Sequence, residues 1–238
     1  MNAMIQVQDL NKAFTLHNQS HTRINVLSDV SFQVEAGECV ALTGASGAGK
    51  STLMRTIYGN YKAQSGAIWV SQGAVNPHHG DGKVNLVEAS PRTLIELRRH
   101  TIGYVSQFLR VIPRVPTLDI VMEPLREQGY REEVARRKAQ TILELLNIPD
   151  TLWHLAPGTF SGGEQQRVNI ARCFVADYAI LLLDEPTASL DAENRKNVLY
   201  LMREAKAAGK ALLGIFHDES IRDEIADRQL NMAAFSSP

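Results

Sequence analysis

The stretch Ala41-Leu42-Thr43-Gly44-Ala45-Ser46-Gly47-Ala48-Gly49-Lys50-Ser51-Thr52 decides how the rest of the chain is read. Ahead of it, Cys39-Val40-Ala41-Leu42 is a short apolar run of the kind a buried parallel strand shows; behind it, Thr52-Leu53-Met54-Arg55-Thr56-Ile57 continues at helical spacing. A strand, a glycine-rich loop and a helix in that order have the form of a phosphate-binding loop. Gly44, Gly47 and Gly49 carry no Cβ, so the backbone running through Ala45, Ser46 and Ala48 can curl and turn several N–H groups toward one anion. The start of the following helix adds partial positive charge. Lys50 then sets a point charge on the β- and γ-phosphates, and the Ser51 hydroxyl is suited to Mg²⁺. The bland alternative is a glycine-rich turn with a solvent-facing lysine, and the strand-loop-helix context weighs against it.

Composition bounds the remaining possibilities. The 238 residues suffice for one substantial core with an inserted subdomain, and 44% hydrophobic residues are ordinary for a globular protein. A net charge of -1 gives no basic field, which argues against a dedicated nucleic-acid binder. No apolar run approaches the roughly 18 residues of a membrane span, and the first residues lack the layout of a signal peptide, so the expectation is a cytoplasmic protein with no membrane insertion. Cys39 and Cys173 fall in an expected strand and helix and read as buried thiols.

The opening of the chain is β-rich. Ile5, Val7 and Leu10, then Val30, Phe32 and Val34, alternate on either side of the polar stretch from His17 to Arg23, which reads as a hairpin loop. Phe14 stands where a flat ring could stack on a purine, although a core aromatic fits the same pattern. After the loop helix, Ser65-Gly66 reads as a turn, Ala67 to Val70 and Val84 to Val87 as strands, and Asn76 to Gly82 as a turn-rich segment. Its adjacent His78 and His79 would point to opposite faces of an extended chain, which disfavours a metal site. Residues from Pro91 to His100 suggest a helix, and Ile102 to Ser106 a buried strand ending at Gln107, an amide placed to reach a ligand.

Beyond Gln107, Pro113, Pro116 and Pro124 are expected to break the chain, and Ala135, Ala139, Ile142 and Leu146 fall at helical spacing. A helical subdomain is expected over residues 108–175, inserted into an α/β core formed by 1–107 and 176–238, all within one domain. Phe108 to Val115 combines large apolar residues, two arginines and Pro113, and reads as a docking surface or as packing against the chain's own helices. Ser161-Gly162-Gly163-Glu164 opens another helix whose N-terminus could hold an anion, with a plain helix start as the alternative.

The run Ala179 to Leu183 is too uniformly apolar for a half-exposed strand and ends in Asp184 and Glu185. In open α/β sheets ligands collect beyond the carboxyl ends of strands, so Asp184 can approach Mg²⁺ while Glu185 orients or deprotonates a water. The alternative is a pair of solvated turn residues. Asp191 precedes a helix ended by Gly209, and the apolar run Ala211 to Phe216 delivers His217 to the same sheet edge, where it could contact a γ-phosphate.

Taken together and in order, these motifs resemble the nucleotide-binding domain of ATP-binding-cassette (ABC) proteins over nearly the whole chain. Gly44 to Ser51 resembles the Walker A loop, Gln107 the Q-loop, Ser161 to Gln165 the signature, Ile180 to Glu185 the Walker B strand, Ser189 to Asp191 the D-loop and His217 the switch histidine. Phe14 takes the place of the family's adenine-stacking aromatic, while the signature departs from the commonest form at Phe160 and Glu164. The resemblance implies a P-loop NTPase core with an antiparallel β subdomain and an inserted helical subdomain, using ATP and Mg²⁺. Ser51, Asp184 and Gln107 would attend the metal; Lys50, Glu185, His217 and Gln107 would serve catalysis. Two such domains would sandwich ATP, the signature of each closing the other's site.

Within the superfamily, Ile57-Tyr58-Gly59-Asn60-Tyr61 and the segment Gly103 to Val115 are similar to the cassettes of the phosphonate carbon–phosphorus lyase system. That similarity implies partners in a soluble lyase complex and a sister cassette. The other readings are the ATPase of a lipoprotein- or antibiotic-type transporter, with membrane partners, and a nucleotide-gated docking module that hydrolyses little.

Overall fold

The computed structural model describes residues 3–16, 22–72, 82–109 and 113–235. Two long strands, β1 (Ala3–Leu16) and β2 (Thr22–Glu35), pair antiparallel at the start. Ile5, Val7 and Leu10 are all buried although strict alternation skips from 7 to 10, and the pairing register shifts at that point. A bulge around Asp9, which takes a left-handed backbone with φ 45°, turns Leu10 back to the core.

β3 (Cys39–Thr43) runs into the glycine-rich loop and then α1 (Lys50–Ile57). β4 (Ser65–Ser71) and β5 (Lys83–Asn85) complete an antiparallel sheet of order β2-β1-β4-β5. Ser65-Gly66, expected as a turn, instead opens β4: Ser65 pairs with Asn11 just beyond the β1 bulge. α2 (Pro91–His100) starts behind Ser90, whose side chain accepts from Thr93 N, with Pro91 where a helix needs no N–H. β6 (Ile102–Val105) follows. His17 to His21, His78 and His79, and Arg110 to Ile112 lie outside the described residues, so the expectations placed on them have no structural counterpart here.

α3 (Thr117–Glu127), α4 (Glu132–Leu145) and α5 (Gly162–Phe174) pack on one another. α3 runs through Pro124, which was expected to break the chain. The proline forfeits one N–H bond, but it is buried with Val121, Met122 and Leu125, and that packed face holds the helix together. The chain then alternates β7 (Ile180–Asp184), α6 (Ala192–Ala207), β8 (Ala211–Ile215), α7 (Glu219–Ile225) and β9 (Arg228–Asn231).

The second sheet is parallel, in the order β6-β7-β8-β3-β9. It separates two apolar cores. Leu181 and Leu183 face one core with α3 to α6, while Ile180 and Leu182 face the other with β1, β2, β4 and α1. Burial on both faces explains why β7 shows no alternation, since each such side chain contributes roughly 1.5–3 kcal/mol when removed from water. Both cysteines are buried and free, and burial pushes each thiol up to about 12. Among the described residues no helix is long and apolar enough to cross a membrane.

The strand order matters most for position. β6, β7, β8 and β3 are adjacent and parallel, so Gln107, the Asp184-Glu185 pair, His217 and the glycine-rich loop all emerge at one edge.

Candidate nucleotide site

The loop from Gly44 to Gly49 departs from ordinary backbone at each glycine: φ is 129° at Gly44, 85° at Gly47 and 86° at Gly49. At Gly49 a side chain would also collide, because a Cβ would sit 2.9 Å from Val26 O and from Leu27 Cδ2 of β2. Gly49 is the N-cap of α1 and supplies no side-chain acceptor, so the first N–H groups of the helix are left for an anion. Lys50 folds over the loop, donating from Nζ to Gly44 O at 2.7 Å and Ala45 O at 2.9 Å. Its ammonium is thus already held at the loop mouth.

Gly44, Ser46, Gly47, Gly49, Lys50, Ser51 and Thr52 line a cavity of about 390 Å³ together with Glu185 and His217. The two carboxylates after β7 diverge as the sequence suggests. Asp184 is buried, while Glu185 takes a left-handed φ of 54°, a conformation a non-glycine residue adopts only when its surroundings hold it there. The Glu185 N–H donates to Ile215 O at 3.0 Å, anchoring that turn to β8. Glu185 Oε2 accepts from Gln107 Nε2 at 3.2 Å, and Oε1 lies 2.8 Å from His217 Nε2. One carboxylate therefore ties together the ends of three strands. Gln107, expected at the metal, reaches the site through Glu185.

Asp184 accepts from Ser51 Oγ at 3.4 Å and from the Tyr104 hydroxyl at 3.1 Å. Burial raises its proton affinity above the usual carboxylate range, the Tyr104 hydrogen bond opposes that, and the charge of Glu185 adds to it. A buried carboxylate beside a hydroxyl is a hard-oxygen donor set, the kind that Mg²⁺ takes with phosphate oxygens and water completing the shell. The residues present fit that ion.

The signature residues lie apart from this cavity. Ser161 is the N-cap of α5 and forms a reciprocal box with Glu164: Glu164 N donates to Ser161 Oγ at 3.3 Å, and Ser161 N donates to Glu164 Oε2 at 2.8 Å. The Ser161 hydroxyl and N–H hold the Glu164 carboxyl below its usual range. Here Glu164 completes the cap. Gly163 lies against the D-loop, where a Cβ would approach Ser189 O to 3.0 Å. Asp191 caps α6, its carboxylate accepting from Asn194 N at 2.8 Å and from Asn194 Nδ2.

Phe14 does not line the loop cavity either. It is half-buried, with the Lys12 ammonium 4.6 Å from its ring centroid and Tyr61 edge-on at 5.2 Å. The Lys12 ammonium covers one face of the ring, and a purine could stack on that face only by displacing it. Two residues the sequence reading passed over belong to the site, Tyr104 through Asp184 and Arg222 as part of the cavity wall. Neither had a legible local signal: Tyr104 matters through Asp184, which the pairing of β6 with β7 brings beside it, and Arg222 lies on a short helix.

The site and sheet order are those of an ABC-type ATP-binding cassette. The ABC transporter family matches residues 27–188, and the chain belongs to that family. It is 37% identical over 229 residues to the lipoprotein-releasing system ATP-binding protein LolD of Bordetella pertussis, spanning 96% of this chain and 92% of that protein. It is 36% identical over 191 residues to LolD of Saccharophagus degradans, spanning 80% and 78%. Among solved structures, the dimeric post-hydrolysis state of the ATP-binding cassette MJ0796 bound to ADP and Pi matches with a TM-score of 0.83 at 26% identity, over 96% of this chain and 94% of that one. The chain is accordingly an ATP-binding cassette and an ATPase.

Proposed function

We propose that this ATPase serves the phosphonate carbon–phosphorus lyase system, as a cassette similar to PhnL that works with a sister cassette on a soluble lyase complex. What supports the partner assignment is a juxtaposition. The two segments whose sequence suggests it, Ile57 to Tyr61 and Gly103 to Val115, meet in the fold: the Tyr58 and Tyr104 rings lie 4.9 Å apart. Both segments line a second cavity of about 660 Å³, next to Gln107, with Phe108 on its wall and 71% exposed. Leu109 and Val115 pack inward against the helical core.

The second reading is the ATPase of a lipoprotein-releasing type of transporter, with a membrane permease as partner. The named relatives favour it over the first reading, because their identity of 36–37% runs through most of the chain and their names place them in such systems. The discriminating experiment is retrieval of a tagged copy from cells grown on a phosphonate as phosphorus source. Recovery of lyase subunits and a sister cassette is the expected result; recovery of integral membrane permease subunits instead would overturn the lyase assignment.

In either system the chemistry follows from the same groups. The loop amides, the α1 N-terminus and Lys50 would bind the phosphates, and Ser51 and Asp184 would hold Mg²⁺, which would screen charge on the phosphate oxygens. Glu185, gripped by Gln107 and His217, faces the cavity as the acceptor that orients a water and takes its proton; the water oxygen bonds to the γ-phosphorus as the bond from that phosphorus to the β–γ bridging oxygen breaks, and ADP leaves with the bridging oxygen. His217 then steadies the γ-phosphate oxygens. Ser161 and Gly163 are too committed to their own helix to turn back to this loop, and we assign them to the nucleotide of a second cassette in a dimer.

A further inference from the structure

Tyr104 occupies an unusual place for a neutral side chain. It sits in β6 opposite Leu182 of β7, two residues before Asp184, and its hydroxyl donates to Asp184 Oδ2 at 3.1 Å. The other oxygen, Oδ1, accepts from Ser51 at 3.4 Å. The two oxygens of one buried carboxylate are therefore divided between the tyrosine and the metal-side hydroxyl. The tyrosine is itself held from two directions. Its ring packs on Tyr58 at an interplanar angle of 39°, and Tyr58 lies under the Arg98 guanidinium at 4.7 Å. The Arg55 guanidinium donates to the Tyr61 hydroxyl at 3.2 Å and lies on the same cavity wall as Tyr104. Arg55 can only donate, so it does not compete for the single Tyr104 O–H, which points at Asp184.

We propose that Tyr104, braced by Arg55 and Tyr58, is the positioning residue for the Asp184 carboxylate, holding Oδ2 so that Oδ1 stays turned toward Ser51 and the magnesium nucleotide. The inference rests on the assignment of Ser51 and Asp184 to Mg²⁺ made above. A carboxylate without the Tyr104 donor loses one of two anchors and can rotate away from Ser51, which costs metal affinity. Outer partners that orient metal-binding groups typically carry about 10–100-fold in affinity. Tyr104 and Arg55 also line the larger cavity, so the wall of that cavity and the metal carboxylate are joined through one hydroxyl.

The test is calorimetric binding of the non-hydrolysable analogue AMP-PNP to the full chain, once with Mg²⁺ and once with EDTA. Tyr104→Phe removes only the hydroxyl; the expected result is an affinity about tenfold weaker with Mg²⁺ and unchanged with EDTA. Arg55→Gln leaves β6 untouched and should move the Mg²⁺ affinity in the same direction by about threefold. Asp184→Asn should lose most of the difference between the two conditions. If Tyr104→Phe keeps the wild-type Mg²⁺ dependence while Asp184→Asn loses it, the positioning role is overturned and the metal assignment stands. Equal weakening of Tyr104→Phe with Mg²⁺ and with EDTA would reduce the residue to structural support and also overturn the role. If Asp184→Asn keeps full Mg²⁺ dependence, the metal assignment falls and the inference falls with it.

Discussion

The two halves of the nucleotide machinery are built on opposite plans. Lys50, Ser51, Asp184, Glu185, Gln107 and His217 lie up to 167 residues apart in number (217 − 50) and still meet, because four neighbouring parallel strands end at one edge. Ser161, Gly163 and Asp191 sit at helix starts, outside the cavity that Lys50, Ser51, Glu185 and His217 line. Their polar atoms are satisfied locally, Ser161 by Glu164 and Asp191 by Asn194. The first half is assembled by tertiary structure and is poised for ligand within one chain. The second is stable without any ligand, as a surface must be if it waits for another molecule.

That contrast can be broken at its strongest point first. Glu185→Gln keeps the shape of the carboxylate and its contacts with Gln107 while losing basicity; turnover should fall by about 10²–10⁴-fold with ATP binding retained. Steady-state hydrolysis and equilibrium binding measured on the same preparation check it, and wild-type turnover would assign the water to another group. Lys50→Ala should cost about 1.5–3 kcal/mol of ATP affinity, the range for hydrogen bonds to a charged group, and unchanged affinity would remove the loop assignment.

Phe14→Ala sharpens the comparison, because Phe14 belongs to neither half in the structure. If a purine stacks there, ATP binding weakens by about 1–3 kcal/mol while binding of inorganic triphosphate is unaffected. Equal losses for both ligands would confine Phe14 to its contact with Tyr61. The smallest effect is expected at Ser161→Ala, which should cost about 1 kcal/mol of stability through the lost cap, read from denaturant unfolding. ATP affinity of the dilute chain should not change in that variant; a loss there would bring the signature into the chain's own site.

The same contrast explains what the sequence discloses. The loop, the β7 run and His217 are legible because each lies within a few residues of a strand whose uniform apolarity marks it as central, and sheet topology then does the gathering. The helix after Asp191 was legible for an equally local reason, while the capping of its start by Asp191 through Asn194 is seen in the structure. Tyr104 was not, since its meaning depends on Asp184, 80 residues away, across a register that only pairing of β6 with β7 sets. The Lys12 ammonium over Phe14 is hidden for the same cause, as Lys12 is drawn there partly by Lys62 O at 2.9 Å. Pro124 misled because local rules price a lost hydrogen bond and do not see the apolar face that outweighs it.

We infer that one chain carries half a site twice over, and that hydrolysis needs two cassettes. This claim is tested most directly by ATP turnover per chain across a dilution series of the purified protein, at saturating ATP and Mg²⁺. Turnover per chain should fall steeply as the protein is diluted and recover when concentrated, as two chains meeting requires. Turnover per chain that stays constant from micromolar to low nanomolar protein would contradict the claim and place a complete catalytic site within a single chain.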